Sequence, residues 1–542
     1  MRNQSARLAK KLPCAALLAG IVSLTGAACA ADDGAPHLRR NGTAKQMVVD
    51  GKPFLMLGSE WSNSASASAE LARPVWPRLA RMNVNTSILA VSWEIIEPEE
   101  GKFDFSTVDG LIKDARANNM HIVFLWFASW KNGLSSYDPL WVKMESKRFP
   151  LVKTRLGQSK DILSVFGGEN AQADAKAFAA LMKHIREFDE RHTVLMMQVE
   201  NEVGVREQSR DYSPAASAAF AAPVPKELMD YLNTHRANLV PEMKQRLAAC
   251  GNRTEGTWTE VFGPGVLTDE VFQDWFYAKY VETVAAAGKK EYPIPMYCNC
   301  WLDQGGNPGD WPSGGPVAYN LDVWQAGAPS IDALAPDLYA SNFEQRVVNY
   351  DRNGNPLFIP EANTGACVGS NAIFVYGKHD ALCFSPFAVD RSGLGGEAGY
   401  LALANLAPAI LDHQGKGTIF GWMLGAPAID AKKTVETGTC GNYKVTVKDN
   451  GQGNGMGRNA STTGMIISIG PDEFYILHSM SVINFAPADP TKGRLNVDLV
   501  EEGKFVNDKW VGQGIDVRNN DLAAAIAGSF KDYHVKLSQR PQ

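Results

Sequence analysis

Apolar, β-branched runs alternate with amphipathic helical patterns over most of this chain, and that alternation restricts it to folds built from βα units around a parallel sheet. Eight runs read as strands, near Phe54–Leu57, Thr86–Val91, His121–Trp126, Val194–Val199, Ile294–Cys298, Ala333–Leu338, Leu357–Ile359 and Thr418–Trp422. The segments between them have helical spacing. Val108, Leu111, Ile112 and Ala115 share a face after Ser106-Thr-Val-Asp109, which resembles a capping box. Phe178, Leu181, Met182, Ile185 and Phe188 share one before the fourth strand. Eight such units over residues 37–430 predict a (β/α)₈ TIM barrel with insertions. A doubly wound open sheet is the rival, but no Gly-rich phosphate turn follows the first strand. The longest insertion runs from about Arg206 to Lys290, and its Ala/Pro/Ser-rich opening, Ser213–Pro225, reads as a surface loop.

The pattern changes after Ala431. Short alternating runs such as Tyr443–Val447, Glu473–Leu477, Leu495–Val500 and His534–Leu537 are separated by turn-rich segments, which predicts a β-sandwich over residues 431–542. One short apolar stretch, Leu522–Ala527, interrupts the series. The glycines at 451, 453, 455 and 457 do not form a nucleotide loop, because Met456 takes the third glycine position and no helix follows. At the other end, Arg2, Arg7, Lys10 and Lys11 precede an apolar stretch from Leu12 to Ala27 and the small-x-small site Ala28-Cys29-Ala30. That is the layout of a signal peptide over residues 1–30, too short in its apolar part to span a bilayer. Export to the periplasm or the extracellular space is expected. Lipid anchoring through Cys29 is the minor variant, disfavoured by Gly26 at the position where Leu is preferred.

A net charge of -6 supplies no electrostatic reason to expect nucleic acid or an anionic membrane as partner. Six cysteines remain after cleavage, of which Cys367 and Cys383 are the most local candidates for a disulfide. Cys298-Asn-Cys300 lacks zinc spacing and a companion pair, so no metal site and no cofactor are expected.

Acidic residues stand at two strand ends. The apolar run Val194–Val199 leads into Glu200-Asn201-Glu202, and Leu357–Ile359 leads into Pro360-Glu361-Ala-Asn363. Breaking a glycosidic bond requires one carboxylic acid to protonate the leaving oxygen and a second carboxylate to meet the charge at the anomeric carbon. In a TIM barrel both belong at the C-terminal ends of strands, where Glu202 and Glu361 fall. Glu200 is the decoy, since it shares a face with Glu202 if the strand stays regular.

Gln198-Val-Glu-Asn-Glu-Val-Gly204 closely resembles the Gln-Ile/Val-Glu-Asn-Glu-Tyr-Gly segment of family 35 glycoside hydrolases, the retaining β-galactosidases. Trp93-Glu-Ile-Ile-Glu-Pro-Glu-Glu-Gly101-Lys-Phe103-Asp-Phe105 is similar to that family's segment after strand two. The resemblance implies Glu202 as acid/base and Glu361 as nucleophile. It further implies Asn201 on the sugar 2-hydroxyl, Tyr339 orienting the nucleophile, Trp422 flooring the sugar site and Glu60 on sugar hydroxyls. Trp130 is expected to be a sugar contact after strand three, and Trp61, Trp126, Trp141 and Trp301 are weighed between sugar platforms and core. Three positions depart from the family pattern: Ala90 replaces a Tyr, Ala128-Ser129-Trp130 replaces Ala-Glu-Trp, and Trp61-Ser62 replaces His-Tyr. The expected activity is a retaining exo-β-galactosidase acting on plant cell-wall oligo- or polysaccharides. The alternatives are the same mechanism on another sugar (β-arabinopyranosidase, β-glucosidase, endo-glycanase) and a non-catalytic carbohydrate-binding barrel. Neither G-x-S-x-G nor H-E-x-x-H occurs, which disfavours esterases and zinc proteases.

Overall fold

Eight parallel strands close into a barrel because each is apolar on both faces and must be covered on both. They are β1 (Met56–Glu60), β2 (Thr86–Ser92), β3 (His121–Lys131), β4 (Val194–Asn201), β5 (Met296–Trp301), β6 (Ala333–Leu338), β7 (Phe358–Ile359 with Glu361–Ala362) and β8 (Cys383–Phe384). This computed structural model describes residues 34–303, 305–340, 342–425, 433–449, 462–515 and 530–540, so the expected signal peptide, the 451–457 glycines and Leu522–Ala527 lie outside the described residues.

Closure passes through β7. Pro360 has no N–H to donate and divides that strand. Its second half pairs with β6, Asp337 opposite Glu361, and its first half pairs with β8, Phe358 opposite Cys383. β8 in turn pairs with β1, Cys383 opposite Met56. Seven of the expected strands therefore take barrel positions, and the eighth does not. Thr418–Trp422 was expected to close the barrel, but Ile419–Leu424 (β9) pairs antiparallel with Thr462–Ser468 in the C-terminal sheet. The two-residue ladder Cys383–Phe384 closes the barrel instead.

Three antiparallel strands, His37–Asn41, Ala44–Val49 and Lys52–Phe54, cover one end of the barrel. Met47 and Val49 pack against Met56, Ile88, Val123, Leu195, Ala333 and Phe358, which lie toward the strand starts. The N-terminal mouth is thereby plugged, and the opposite mouth is left for chemistry.

Helix α1 (Ser106–Ala117) buries Val108, Leu111, Ile112 and Ala115, the face its spacing predicts. The expected capping box is not made: Asp104 accepts the Ser106 N–H, and Asp109 pairs with His184 at 2.6 Å. Helix α2 (Asn170–Phe188) buries Phe178, Leu181, Met182 and Ile185 beside α3 (Val266–Glu291). The expected loop at Ser213–Pro225 contains a helix, Pro214–Ala221. The Ser213 side chain caps Ala216 N–H and Pro214 sits in the first turn, where a missing N–H costs nothing.

The C-terminal region forms two antiparallel sheets. Strands β10 (Val435–Cys440), β11 (Tyr443–Asp449) and β14 (Ser481–Pro487) form the smaller sheet. β9 joins β12 (Thr462–Ser468), β13 (Glu473–Ser479), β15 (Arg494–Val506), β16 (Lys509–Ile515) and β17 (Lys531–Arg540) in the larger, ordered β9-β12-β13-β17-β15-β16. Val445, Ile466, Phe474, Ile476, Phe485 and Val535 fill the core of this sandwich. Methionine 465 of the larger sheet lies against Gly377 of helix α4 (Val368–Lys378), and a Cβ there would come within 2.9 Å of it. Cys383 is a free thiol, so the candidate Cys367–Cys383 pairing is not made. Cys383 is committed instead to the closing strand. No described helix is long and apolar enough to cross a membrane.

Candidate active site

The C-terminal ends of β4 to β7 bring polar side chains to one cavity of about 760 Å³. Glu202, Asp337, Tyr339 and Glu361 line it, with Lys131, Trp301, Asp303 and Arg346. Glu202 follows β4 with φ 47° and Glu200 has φ 63°. Left-handed backbone at a non-glycine residue costs about 1 kcal/mol or more and needs surrounding structure to hold it. Here Asn299 Oδ1 on β5 accepts the Glu202 backbone N–H at 2.9 Å.

That break in the strand also settles Glu200. Regular alternation would set it beside Glu202. Instead its carboxylate turns to the end of β3, accepting Trp130 N–H at 2.8 Å and Ser129 N–H at 3.3 Å. It is buried away from the cavity.

Glu202 and Glu361 come together: one carboxylate oxygen from each, and one from Asp337, lie within 4.8 Å of one another. Tyr339 donates its hydroxyl to Glu361 Oε2 at 2.6 Å, and Asn299 Nδ2 reaches Glu361 Oε1 at 3.3 Å. Burial raises the Glu361 pKa, while Lys131 and the Tyr339 hydroxyl oppose that rise. Glu202 is pushed up to about 7, first by burial and then by the Glu361 charge, against the pull of Lys131. Both carboxyls are thus raised by burial, and only Glu361 accepts a hydroxyl, that of Tyr339, which favours its ionised form.

The remaining expected residues divide. Asn201 lies behind the pair, its Oδ1 accepting from Gln198 at 2.9 Å and from Asn299 at 3.3 Å, while its Nδ2 has no partner among the described residues. Glu60 is buried at the end of β1, close enough for the charges of Glu361 and Glu202 to raise its pKa after burial has done so, and its Oε2 has no partner. Trp130 and Trp422 do not reach the cavity. Trp130 is fully buried between Tyr277 and Tyr280, with its Nε1 on the Leu163 carbonyl. Trp422 is in the sandwich core, with its Nε1 on Ser481 Oγ at 2.9 Å, because its strand pairs there and not in the barrel. Of the other weighed tryptophans Trp301 lines the cavity, while Trp61 packs on Trp76 and Trp126 binds Asp174. The strand-two motif is structural: Glu97 takes the N–H groups of Trp93 at 2.8 Å and Gly101 at 2.7 Å.

Sequence reasoning missed Asp337, Asn299 and Lys131. Two had a signal. Asp337 interrupts Ala333–Leu338 and Asn299 interrupts Met296–Trp301, and a polar residue inside an otherwise apolar barrel strand needs a partner or a task.

Two glutamates facing one another from the ends of β4 and β7 at the open mouth of a closed eight-strand barrel define a class, the glycoside hydrolase barrel. The family model described as Beta-galactosidase, that of glycoside hydrolase family 42, matches residues 75–241, a span that includes Glu202. The chain thus carries a glycoside hydrolase domain of β-galactosidase type. The family 35 expectation is met at the level of this class, but the model that matches is that of family 42. A second model, described as a domain of unknown function (DUF5597), matches residues 397–514. No curated protein matches the chain. Among solved structures, it is similar to a β-galactosidase from the haloarchaeon Halorubrum lacusprofundi, at 16% identity and a TM-score of 0.44, over 65% of this chain and 58% of that one. It is also similar to a β-galactosidase from the psychrophilic Marinomonas ef1, at 11% identity and a TM-score of 0.43, over 65% and 60%. The catalytic domain of a β-amylase from Paenibacillus polymyxa matches at 11% identity and a TM-score of 0.43, over 63% and 94%. The chain spans about three fifths of the length of the two β-galactosidases.

Proposed function

We propose that the protein is an exported, retaining exo-β-galactosidase that releases terminal galactose from plant cell-wall oligo- or polysaccharides. The observation that carries this reading is the approach of the Glu202 and Glu361 carboxylates to within 4.8 Å. Retaining enzymes hold their carboxyls about 5–5.5 Å apart, so that the nucleophile reaches the anomeric carbon directly, whereas inverting ones leave space for a water. A Glu361 oxygen attacks the anomeric carbon as Glu202 protonates the departing oxygen. Once the covalent glycosyl-enzyme forms, the Glu361 charge is gone and Glu202 takes a proton from the attacking water. The motif wording around Glu202 resembles family 35, the family model that matches is that of family 42, and the basic and apolar N-terminal layout supports export.

The same mechanism on another sugar is the second reading. Ser129, where the family 35 pattern has a glutamate, donates to Asp174 at 2.7 Å and so turns away from the cavity. Ser62 grips Asp390, and Ala90 borders a small cavity of about 130 Å³.

A panel of nitrophenyl glycosides at equal concentration decides the sugar, and a galactoside that is not the best monosaccharide substrate ends the specificity proposal. Product stereochemistry by proton NMR decides the mechanism. Retention is expected in the wild type. Azide is expected to restore turnover to Glu361→Ala with an inverted product, and a first-formed product of inverted configuration in the wild type rules out double displacement.

A further inference from the structure

Asn63, Lys131 and Asn132 line the cavity and have no task in the steps above. Among the described residues neither amide and not the ammonium has a hydrogen-bond or ion-pair partner, and the Oδ1 atoms of Asn63 and Asn132 are buried. Burying an amide without a partner is unfavourable, so unmatched amides at a cavity wall point to a partner that arrives with the ligand.

The backbone fixes where they stand. β3 ends in the tight turn 131–134, in which Lys131 N–H meets the Leu134 carbonyl at 2.8 Å and Leu134 N–H meets the Lys131 carbonyl at 3.1 Å. Asn132 has φ 54° and Gly133 φ 64°, positive values that an Asn-Gly pair favours. A Cβ at Gly133 would come within 2.9 Å of Arg206 Cγ and 3.0 Å of the Gly204 carbonyl oxygen, so the turn is pressed on the loop that follows Glu202. Asn63 follows β1, and its neighbour Ser62 donates its N–H to Asp390 at 2.6 Å. Asn63 also borders the cavity of about 130 Å³ beside Ala90, where the family 35 pattern has a Tyr.

The opposite rim differs. After β5 and β6 the polar groups are matched already, Arg346 to Asp303 and Tyr339 to Glu361, and Trp301 and Leu302 add apolar surface. A sugar ring attacked by Glu361 brings several hydroxyls into the cavity, and each needs a partner there. The wall after β1 and β3 has partners to spare.

We infer that Asn63, Lys131 and Asn132 bind the hydroxyls of the sugar transferred to Glu361 and so fix which sugar is accepted, a role that rests on reading the cavity as a glycosidase site. Each amide accepts from one hydroxyl and donates to another, while the Lys131 ammonium only donates. The glutamate and tyrosine of the family 35 pattern, replaced here by Ser129 and Ala90, are thus succeeded by two amides and a cation. The sugar is a neutral one, because an acidic sugar would meet the carboxylates of Glu202, Asp337 and Glu361, whose oxygens lie within 4.8 Å of one another.

Nitrophenyl glycosides of the best sugar, each lacking one hydroxyl, test the role in Asn63→Ala and Asn132→Gly. Glycine keeps the turn, since it suits a positive φ. In the wild type, removing a hydroxyl that these residues hold is expected to lower kcat/KM about tenfold or more. Each variant is expected to lose as much on the parent glycoside. It should then hydrolyse one deoxy glycoside to within about threefold of the parent, because the partner of that hydroxyl is gone. A merely structural role lowers all glycosides alike and leaves every deoxy penalty at its wild-type size, and that result in either variant overturns the inference. A changed ranking of leaving groups with unchanged deoxy penalties overturns it too, by placing the amides at the leaving sugar. A wild type that hydrolyses no glycoside defeats the proposed activity alone. Calorimetric titration with the parent and deoxy monosaccharides then applies the same comparison to binding. No sugar bound, or equal weakening for all of them in the variants, ends the inference.

Discussion

Replacing Glu202 with Gln should stabilise the protein at alkaline pH while removing its turnover. In the folded state Glu202 keeps its proton to about pH 7, against an ordinary value of 4.5. Between these values the folded protein binds a proton that the unfolded chain has lost, so stability falls as pH rises through this window. Below about pH 4.5 both states are protonated and the group contributes no pH-dependent term. A rise from 4.5 to about 7 corresponds to about 3 kcal/mol, present in full above pH 7 as destabilisation by a buried, ionised side chain. Glutamine has nearly the same shape and never ionises. E202Q should therefore gain up to about 3 kcal/mol near pH 8.5 and almost nothing near pH 4.5. For a chain of 542 residues the unfolding entropy is about 1 kcal/mol per kelvin, so the gain reads as a Tm about 3 °C higher. Calorimetry of both proteins at matched scan rates measures the difference. An equal Tm change at the two pH values, or a loss at the higher one, would refute the account of Glu202 as a buried carboxyl held at raised pKa.

Tyr339→Phe removes the hydroxyl that favours ionised Glu361, so the nucleophile's pKa should rise and the acidic limb of the kcat/KM profile should move to higher pH. A fall in kcat of about tenfold or more should accompany it, read by steady-state kinetics. Trp422→Ala should destabilise the sandwich by about 3–5 kcal/mol in denaturant melts, because it empties a core position. Its KM for glycosides, per folded molecule, should stay at the wild-type value, since Trp422 does not touch the sugar site.

Much of the site could be read before any coordinates, for a local reason. A barrel places its chemistry at the C-terminal ends of apolar strands, so Glu202 after Val194–Val199 and Glu361 after Leu357–Ile359 were marked by adjacency alone. Tyr339, after Ala333–Leu338, was marked by the resemblance to family 35 and not by adjacency. Trp130 and Trp422 were misread because an aromatic side chain near a strand end has the same local signature whether it faces a sugar or a core. What separates the cases is packing: Tyr277 and Tyr280 around Trp130, and Ser481 on the Trp422 nitrogen. Glu200 was left open because alternation held only if the strand stayed regular, and the positive φ values at 200 and 202 break it.

By itself the amino-acid sequence determined the repeating βα units, the antiparallel β region after them and the identity of the facing glutamates, because periodicity and strand-end position are properties of short segments. Only the tertiary structure decided which segment closes the barrel. Thr418–Trp422 has the stronger local strand pattern, but long-range pairing gives that place to the two residues Cys383–Phe384, a ladder too short to leave any periodic trace. It also decided that oxygens of Asp337, Glu202 and Glu361 lie within 4.8 Å of one another, since the approach of residues so distant in the chain follows from the register of strands around a closed barrel and from nothing local to any of them.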